Sequence, residues 1–425
     1  MAAMSPLPAG YRLTPVPESR KDEFLAVDHL AFGSQPTPET LAEVPSTLEW
    51  DRTMGVERPD GSLAAVHSSY DFDLPVPGGV VPCAGLTWVG ARPDERRRGL
   101  LSAMIATHFE RALGRGEPVS ALFAAESAIY GRFGFGLAAD DVRLKVPRSA
   151  ALRDVPGSDA LTVTFDTVDR ERHTDLVQEV HRRAGAGRPG WMPRETDALR
   201  ARPLVDPPAW RDGGEPLRIV VVRDAAGDPR AYALLRRKEV WSEPGPRYPV
   251  TIRESAAVDA AAAHRLWSFV LDMDLTSEIA TGMLPADDPL LHLLVDLRGA
   301  VPRLADNLWV RLLDVPVALA GRRYQAPLDT VLAVTDARLP ANARSWRLAT
   351  GEPGADGTYA ATVEPTDAPA DLSLDVRELG SAYLGGRSLA ALAAAGLVVE
   401  HRPGAALAAG AAFGWPLAPV CSWVF

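Results

Sequence analysis

The most constraining stretch lies between Leu86 and Gly136, which reads strand, basic glycine turn, amphipathic helix, second strand and tyrosine-bearing turn. Residues 83–89 form an apolar, strand-like run that Pro93, Asp94 and Glu95 break. From Gly99 onward Leu100/Leu101, Met104/Ile105, His108/Phe109 and Ala112/Leu113 recur at three- and four-residue spacing. That spacing is one buried helical face, closed by Gly114 and Gly116. The turn Arg96-Arg97-Arg98-Gly99 therefore sits at a helix N-terminus, where free N–H groups and the helix dipole favour an anion. Gly99 lets the backbone approach a phosphate without a Cβ, and the arginines add charge-assisted bonds. A pyrophosphate fits such a turn. Taken alone, the same arginines fit a solvated cap on a surface loop equally well. A dinucleotide fingerprint fits worse, because the order G-x-G-x-x-G is absent.

At 425 residues the chain is too long for one ordinary core, so two or three domains are expected. The first runs over residues 1–148, opening with an alternating strand at 11–16 and a helix over 21–32, and ending in a strand over 142–147. The second, 149–303, carries strands at 161–165, 219–222, 232–235 and 250–253 and a helix over 260–271. The third, 304–425, is richer in strands, at 308–313, 330–334, 359–363 and 372–376, with a helix over 388–395. The second region repeats the strand–turn–helix plan of the first without its arginines and glycine, which reads as a copy of the fold lacking the phosphate site. The whole is expected to be α/β (α+β).

Hydrophobic residues at 47% and charged residues at 24% are those of a globular protein. A formal net charge of −10 argues against nucleic acid as a partner and suits small cationic ligands. The two cysteines, Cys83 and Cys421, form neither a disulfide framework nor a zinc cluster, although a single bridge between them stays open. No metal site is expected. Residues 1–8 lack a basic flank followed by an apolar core, and no apolar run reaches membrane-spanning length, so a cytoplasmic location without membrane attachment is expected.

Arg96, Gly99 and Leu101 after a strand resemble the acetyl-CoA loop of the GNAT acetyltransferases, and Tyr130-Gly131-Arg132-Phe133-Gly134-Phe135 resembles that superfamily's later Tyr-x-x-x-Gly-Phe element. Leu101 departs from the Gly or Ala common at that position. The variant Arg96 to Leu101, with Ile129 to Gly134, is similar instead to the enhanced intracellular survival (Eis) family of N-acetyltransferases, as are residues 308–315 and the aromatic C-terminus. The resemblance spans nearly the whole chain, most weakly at its centre. It implies two tandem GNAT folds, the second without cofactor, followed by a sterol-carrier-protein-like α/β domain. It further implies acetyl-CoA as co-substrate, a homohexamer, and acetylation of amines on aminoglycosides, other polyamines or lysine side chains. Carried over position by position, the cofactor contacts are Val89, Gly90 and Ala91; Arg97, Arg98, Gly99, Leu100, Leu101 and Ser102; and Ala125 and Glu126. Backbone N–H groups near Val89 would face the thioester carbonyl and stabilise charge developing on its oxygen.

Amine acetylation needs a proton donor for the departing thiolate. Tyr130 follows the second strand and, with a reference pKa of about 10, is protonated at neutral pH. It also fits a core tyrosine packed by Phe133 and Phe135. No His-Asp-Ser or Cys-His set is grouped in sequence, and His108 lies on the buried helical face as a structural residue. Most chain ends fray, but Trp423-Val424-Phe425 is too apolar to prefer water. If this end is buried, Phe425 carries its α-carboxylate inward. In the Eis family the terminal carboxylate is the proposed general base. A hydrophobic plug closing the third domain is the other reading of the same residues. Asp28, Phe32 and Trp88 stand on elements expected to flank the thioester, where acidic and aromatic groups suit polycations; each fits simple packing as well. A protein that binds lipid or acyl-CoA without turnover is the alternative, and the intact turn combined with Tyr130 speaks against it.

Overall fold

The computed structural model of the chain describes residues 7–425. Residues 1–6, on which part of the expectation of no signal segment falls, lie outside the described residues. The N-terminal unit holds β1 (Arg12–Pro15), α1 (Lys21–Phe32), α2 (Pro38–Glu43), β2 (Met54–Glu57), β3 (Leu63–Val76), β4 (Gly79–Ala91), α3 (Leu100–Gly114), β5 (Val119–Leu122) and β6 (Gly136–Leu137). Strands β1 to β4 form an antiparallel meander, and the chain then crosses through α3 to return as β5, parallel to β4. A parallel pair requires such a crossover. Helix α3 buries Leu100, Met104, Ile105, His108, Phe109 and Ala112, as its spacing dictates, while Leu113 stays exposed.

Pairing of β4 with β5 runs from Cys83–Val119 to Gly85–Ala121 and stops there, although both strands continue. Past that point β4 slips register against β3 between Val66 and Ser68, and Trp88 takes φ 54°. Positive φ in a bulky residue marks local strain, and the bulge bends β4 away from β5. The two strands part like the arms of a V, leaving backbone groups unpaired between them.

The central unit contains β7 (Asp140–Arg143), β8 (Lys145–Pro147), β9 (Thr162–Thr167), α4 (Arg170–Ala184), α5 (Asp197–Ala201), β10 (Arg218–Arg223) and β11 (Pro229–Arg237). It continues with a hairpin of β12 (Trp241–Ser242) and β13 (Gly245–Pro246), then β14 (Tyr248–Ala257), α6 (Ala260–Leu271), β15 (Thr276–Ala280) and α7 (Pro289–Leu293). Parallel β14 and β15 flank α6 and repeat the plan of β4, α3 and β5. The N-terminus of α6 is already capped: the Asp259 side chain accepts from the Ala262 N–H at 2.8 Å. A carboxylate thus stands where a phosphate would have to bind. At α3 the preceding residue is Gly99, with φ 83° and no side chain to cap the helix.

The remaining elements are β16 (Arg303–Asp306), β17 (Trp309–Leu312), α8 (Val315–Ala320), β18 (Asp329–Thr335), β19 (Ser345–Pro353), β20 (Tyr359–Pro365), β21 (Leu372–Asp375), α9 (Val376–Ala382), α10 (Leu389–Ala394), β22 (Val398–Glu400) and α11 (Ala405–Phe413). The third unit is a five-stranded sheet in the order β20-β19-β18-β21-β22 with these helices packed against it. Its interior is filled by Tyr324, Trp346, Tyr383 and Phe413. Arg322 is buried there and donates to the carbonyls of Ala382, Tyr383 and Phe413, at the C-terminal ends of α9 and α11, where the helix dipoles favour a cation.

Two strands lie elsewhere than their sequence positions suggest. Residues 309–312, expected to open the third region, pair instead with β5 and β6 and complete the N-terminal sheet. The stretch expected as one closing strand over 142–147 divides: β7 pairs with β16, and β8 joins β15 in the central sheet. Alternating apolar residues declare a strand but carry no address for its partner, and here the open edge of β5 supplied one. The exchange locks the three units together. Arg311 on β17 seals the joint through a buried ion pair with Asp336, at 2.8 and 2.6 Å. Cys83 and Cys421 are buried free thiols. Among the described residues no helix is long and apolar enough to cross a membrane.

Candidate active site

A cavity of about 1280 Å³ opens where β4 and β5 part. On its walls are Val89, Gly90 and Ala91 from β4, then Arg97, Gly99, Leu100, Leu101 and Ser102 from the turn and first turn of α3. Ala125 and Glu126 line it from beyond β5, and Tyr130 and Phe425 line it as well. Asp28, Phe32 and Trp88 complete the set that the sequence singled out.

Arg98 departs from that expectation, because it does not line the cavity. Its guanidinium turns back to Glu95 at 2.7 Å and Tyr11 at 2.8 Å, so any contribution it makes to a ligand is through its backbone. Arg96, two residues before it, does face the cavity. The turn itself alternates in hand: Arg97 has φ 61° and Gly99 φ 83°. Left-handed residues beside an uncapped helix end point successive N–H groups the same way, a concavity suited to an anion. These orphan donors and the two cavity-facing arginines fit the pyrophosphate of a coenzyme.

Tyr130 opens a short 3-10 turn, Tyr130–Phe133, beyond β5. Burial, aided by the Glu126 charge, pushes its hydroxyl up to about 12. It therefore holds its proton across the physiological range. The ring packs edge-on against Phe135 at 5.9 Å, so the core-tyrosine reading and the cavity-lining one describe two ends of one side chain.

Phe425 reaches the cavity from the far end of the chain. Its ring lies 4.9 Å from Phe72, 5.4 Å from Phe123 and 5.7 Å from Trp423. A Cβ placed on Gly85 would stand 3.4 Å from the Phe425 ring, which locates the residue at the point where β4 leaves β5. The central unit supplies most of the moorings of this tail. Ala418 N–H donates to Asp287 at 3.0 Å, Val420 N–H to the Pro189 carbonyl at 3.1 Å, and Trp423 Nε1 to the Met192 carbonyl at 2.9 Å. His181 Nε2 and Ser422 Oγ meet at 2.7 Å in the interior.

Helix α1 delivers the acidic wall. It packs closely on β4, where a Cβ on Gly90 would meet the Ala31 Cβ at 3.2 Å, and this brings Asp28 to the cavity. Burial raises the Asp28 carboxyl to about 6. Trp88 is steadied by its Nε1 bond to Tyr70 Oη at 3.3 Å, and Phe32 is exposed at the rim. Sequence reasoning missed Tyr70, Phe123, Trp423 and Arg338 as wall residues. Tyr70 sits on β3 and Phe123 just past the end of β5, where facing is set by tertiary pairing, and nothing in the local pattern marks Arg338.

A split parallel pair, an uncapped helix N-terminus in the crossover and a neutral tyrosine on the wall of the same cavity together define a GNAT acyltransferase, here joined to a sterol-carrier-like unit. Residues 12–138 and 190–312 each match an acetyltransferase (GNAT) domain, and residues 315–422 match a sterol carrier protein domain. The third match begins after β17, in keeping with that strand's place in the first sheet. An uncharacterised N-acetyltransferase of Streptomyces avermitilis is 40% identical over 392 residues, 92% of this chain and 93% of that protein. N-acetyltransferase Eis of Mycobacterium tuberculosis is 34% identical over 347 residues, 79% of each. The crystal structure of Eis1 from Mycobacterium abscessus superposes with a TM-score of 0.80 at 29% identity, covering 98% of this chain and 100% of that one. The chain belongs to the Eis family of N-acetyltransferases.

Proposed function

We propose that the protein acetylates primary amines of aminoglycosides, other polyamines or lysine side chains by direct attack on the thioester of acetyl-CoA. The observation that carries this reading is the convergence of Tyr130, Phe425 and the uncapped turn of α3 on one cavity. When bound, acetyl-CoA supplies the activated acetyl group. Arg96, Arg97 and the first N–H groups of α3 hold its pyrophosphate, while unpaired β4 backbone near Val89 offers donors to developing negative charge. Tyr130 keeps a proton at its Oη and presents it to the leaving sulfur. With Phe425 as the last residue, its α-carboxylate is an ionised base of reference pKa roughly 3.5 beside the entering amine. Asp28 adds a second negative group that attracts an ammonium. A positioned acid or base contributes about 10² to 10⁴ in rate.

The contrast at α6 supports one coenzyme site per chain, because Asp259 caps the equivalent helix end. In this reading the central unit moors the tail, and the assembly is a homohexamer. A lipid or acyl-CoA carrier without turnover would have no use for a proton donor and a carboxylate in the same cavity. The test is thiol release from acetyl-CoA against a panel of amines, read by intact product mass. Addition of several acetyl groups to one aminoglycoside is the expected result. Absence of thiol release with every amine, despite coenzyme binding, would overturn the reading.

A further inference from the structure

Two arginines from different units stand on the cavity wall without a carboxylate partner among the described residues: Arg132 beyond β5 and Arg338 after β18. Both guanidinium carbons lie 5.0 Å from the centre of the Phe133 ring. The acid nearest in sequence to Arg338, Asp336, is already committed to the buried Arg311. Asp336 also accepts the backbone N–H groups of Arg338 and Leu339, each at 2.9 Å, which fixes the loop that carries Arg338. Leu339 packs against the same apolar cluster as Leu101 and Ile129, a cluster that includes Phe133, so this loop and the start of α3 share one core and, through Arg338, one cavity.

Two like charges drawn to one ring repel each other, and the ring face offsets only part of that cost at an exposed site. A cationic amine would be repelled there too. An anion would be held, and the coenzyme brings one more than the α3 turn accounts for. Its ribose carries a phosphate monoester of charge about −1.5 to −2 at neutral pH, separate from the pyrophosphate. We propose that Arg132 and Arg338 form the seat of that ribose phosphate, so that the sterol-carrier-like unit takes part in selecting CoA over dephospho-CoA. This inference rests on the acetyl-CoA reading above.

Calorimetric titration of the full-length protein with CoA and with dephospho-CoA tests it without any turnover. The wild type is expected to bind CoA roughly tenfold more tightly than dephospho-CoA, the scale of one charge-assisted bond. Arg338→Gln should weaken CoA alone and bring the ratio close to one. Arg132→Gln, on the other unit, should do the same, which guards against a local folding defect in either variant. A wild-type preference that both variants retain would overturn the proposal and leave the acetyltransferase reading standing. Failure of the wild type to bind either coenzyme would overturn both.

Discussion

Asn307 grips Cys421 by both polar groups of its backbone: Oδ1 accepts from the Cys421 N–H at 2.8 Å, and Nδ2 donates to the Cys421 carbonyl at 3.0 Å. The side chain thereby imitates a neighbouring strand. Asn307 immediately precedes the β17 region, and β17 lies in the same sheet as the parted β4 and β5. The segment leading into the cavity's own sheet thus adds a hold on the tail to the moorings that the central unit supplies.

Asn307→Ala leaves two buried backbone groups of Cys421 without partners, each costing about 1–3 kcal/mol. We expect kcat to fall roughly tenfold, the size of about 1.4 kcal/mol in a barrier, with the dissociation constant for acetyl-CoA unchanged. In a chain extended by two glycines after Phe425, the same substitution should cost nothing further, because the carboxylate has already been moved. Equal losses in both backgrounds would mean that Asn307 acts on stability only.

Tyr130→Phe keeps the ring against Phe135 and removes the hydroxyl. Acetyl transfer should drop by about 10² to 10⁴ while coenzyme affinity holds. Because burial pushes Tyr130 up to about 12, its deprotonation should produce no loss of rate below about pH 11. Steady-state rates from pH 7 to 10.5 check this. An alkaline limb near pH 9 that vanishes in the phenylalanine variant would contradict the assignment.

How far the sequence disclosed this site depended on whether the information was local. Helices over 21–32 and 260–271 were legible because a 3.6-residue apolar period lies between clear stops, Gly33 in the left-handed conformation at one and Asp259 as a cap at the other. The α3 turn was legible for the same reason. A run of three arginines does not say which side chain turns away from the cavity, and here Glu95 draws Arg98 aside. Strand 309–312 was legible as a strand, whereas its partner depended on a free edge far earlier in the chain, at Val119–Leu122. Arg338 had no local signal, since it meets Phe133 only through packing between units. The apolar end Trp423-Val424-Phe425 was readable as a tail that turns inward, but not which of its side chains does so: Trp423 is buried and Phe425 half-buried, whereas Val424 is exposed.

Asp28 sets a trade between stability and function. Its carboxyl is raised to about 6 by burial, above the unfolded value of about 3.9. Folding therefore disfavours the ionised form, and the penalty grows as pH rises through that window and is constant above it. Asp28→Asn should stabilise the fold at pH 7.5 by up to about 3 kcal/mol, two pH units' worth at about 1.4 each. It should also lower kcat/KM for polycationic amines and abolish an acid limb near pH 6. Urea unfolding and pH–rate profiles of the two proteins measure both; a variant that is less stable at pH 7.5, or that keeps the limb, refutes the argument.

A buried histidine pair between β3 and α3 affects acid stability in the opposite sense. His67 on β3 and His108 on α3 face each other edge-on at 6.2 Å, and His108 Nε2 meets Ser120 Oγ at 2.8 Å. Burial holds His67 down to about 3 and His108 well below its ordinary value. Both rings are then neutral in the fold, whereas an unfolded chain takes up protons near pH 6.5. Stability is complete above that value and is lost as pH falls toward 3, at about 1.4 kcal/mol per pH unit for each histidine. His67 is the cleaner target, because its Nδ1 has no partner to strand. His67→Leu should make the decline in unfolding free energy between pH 6 and pH 4.5 shallower by one histidine's share. If the slope is unchanged, His67 is not the neutral buried group that the packing around it requires.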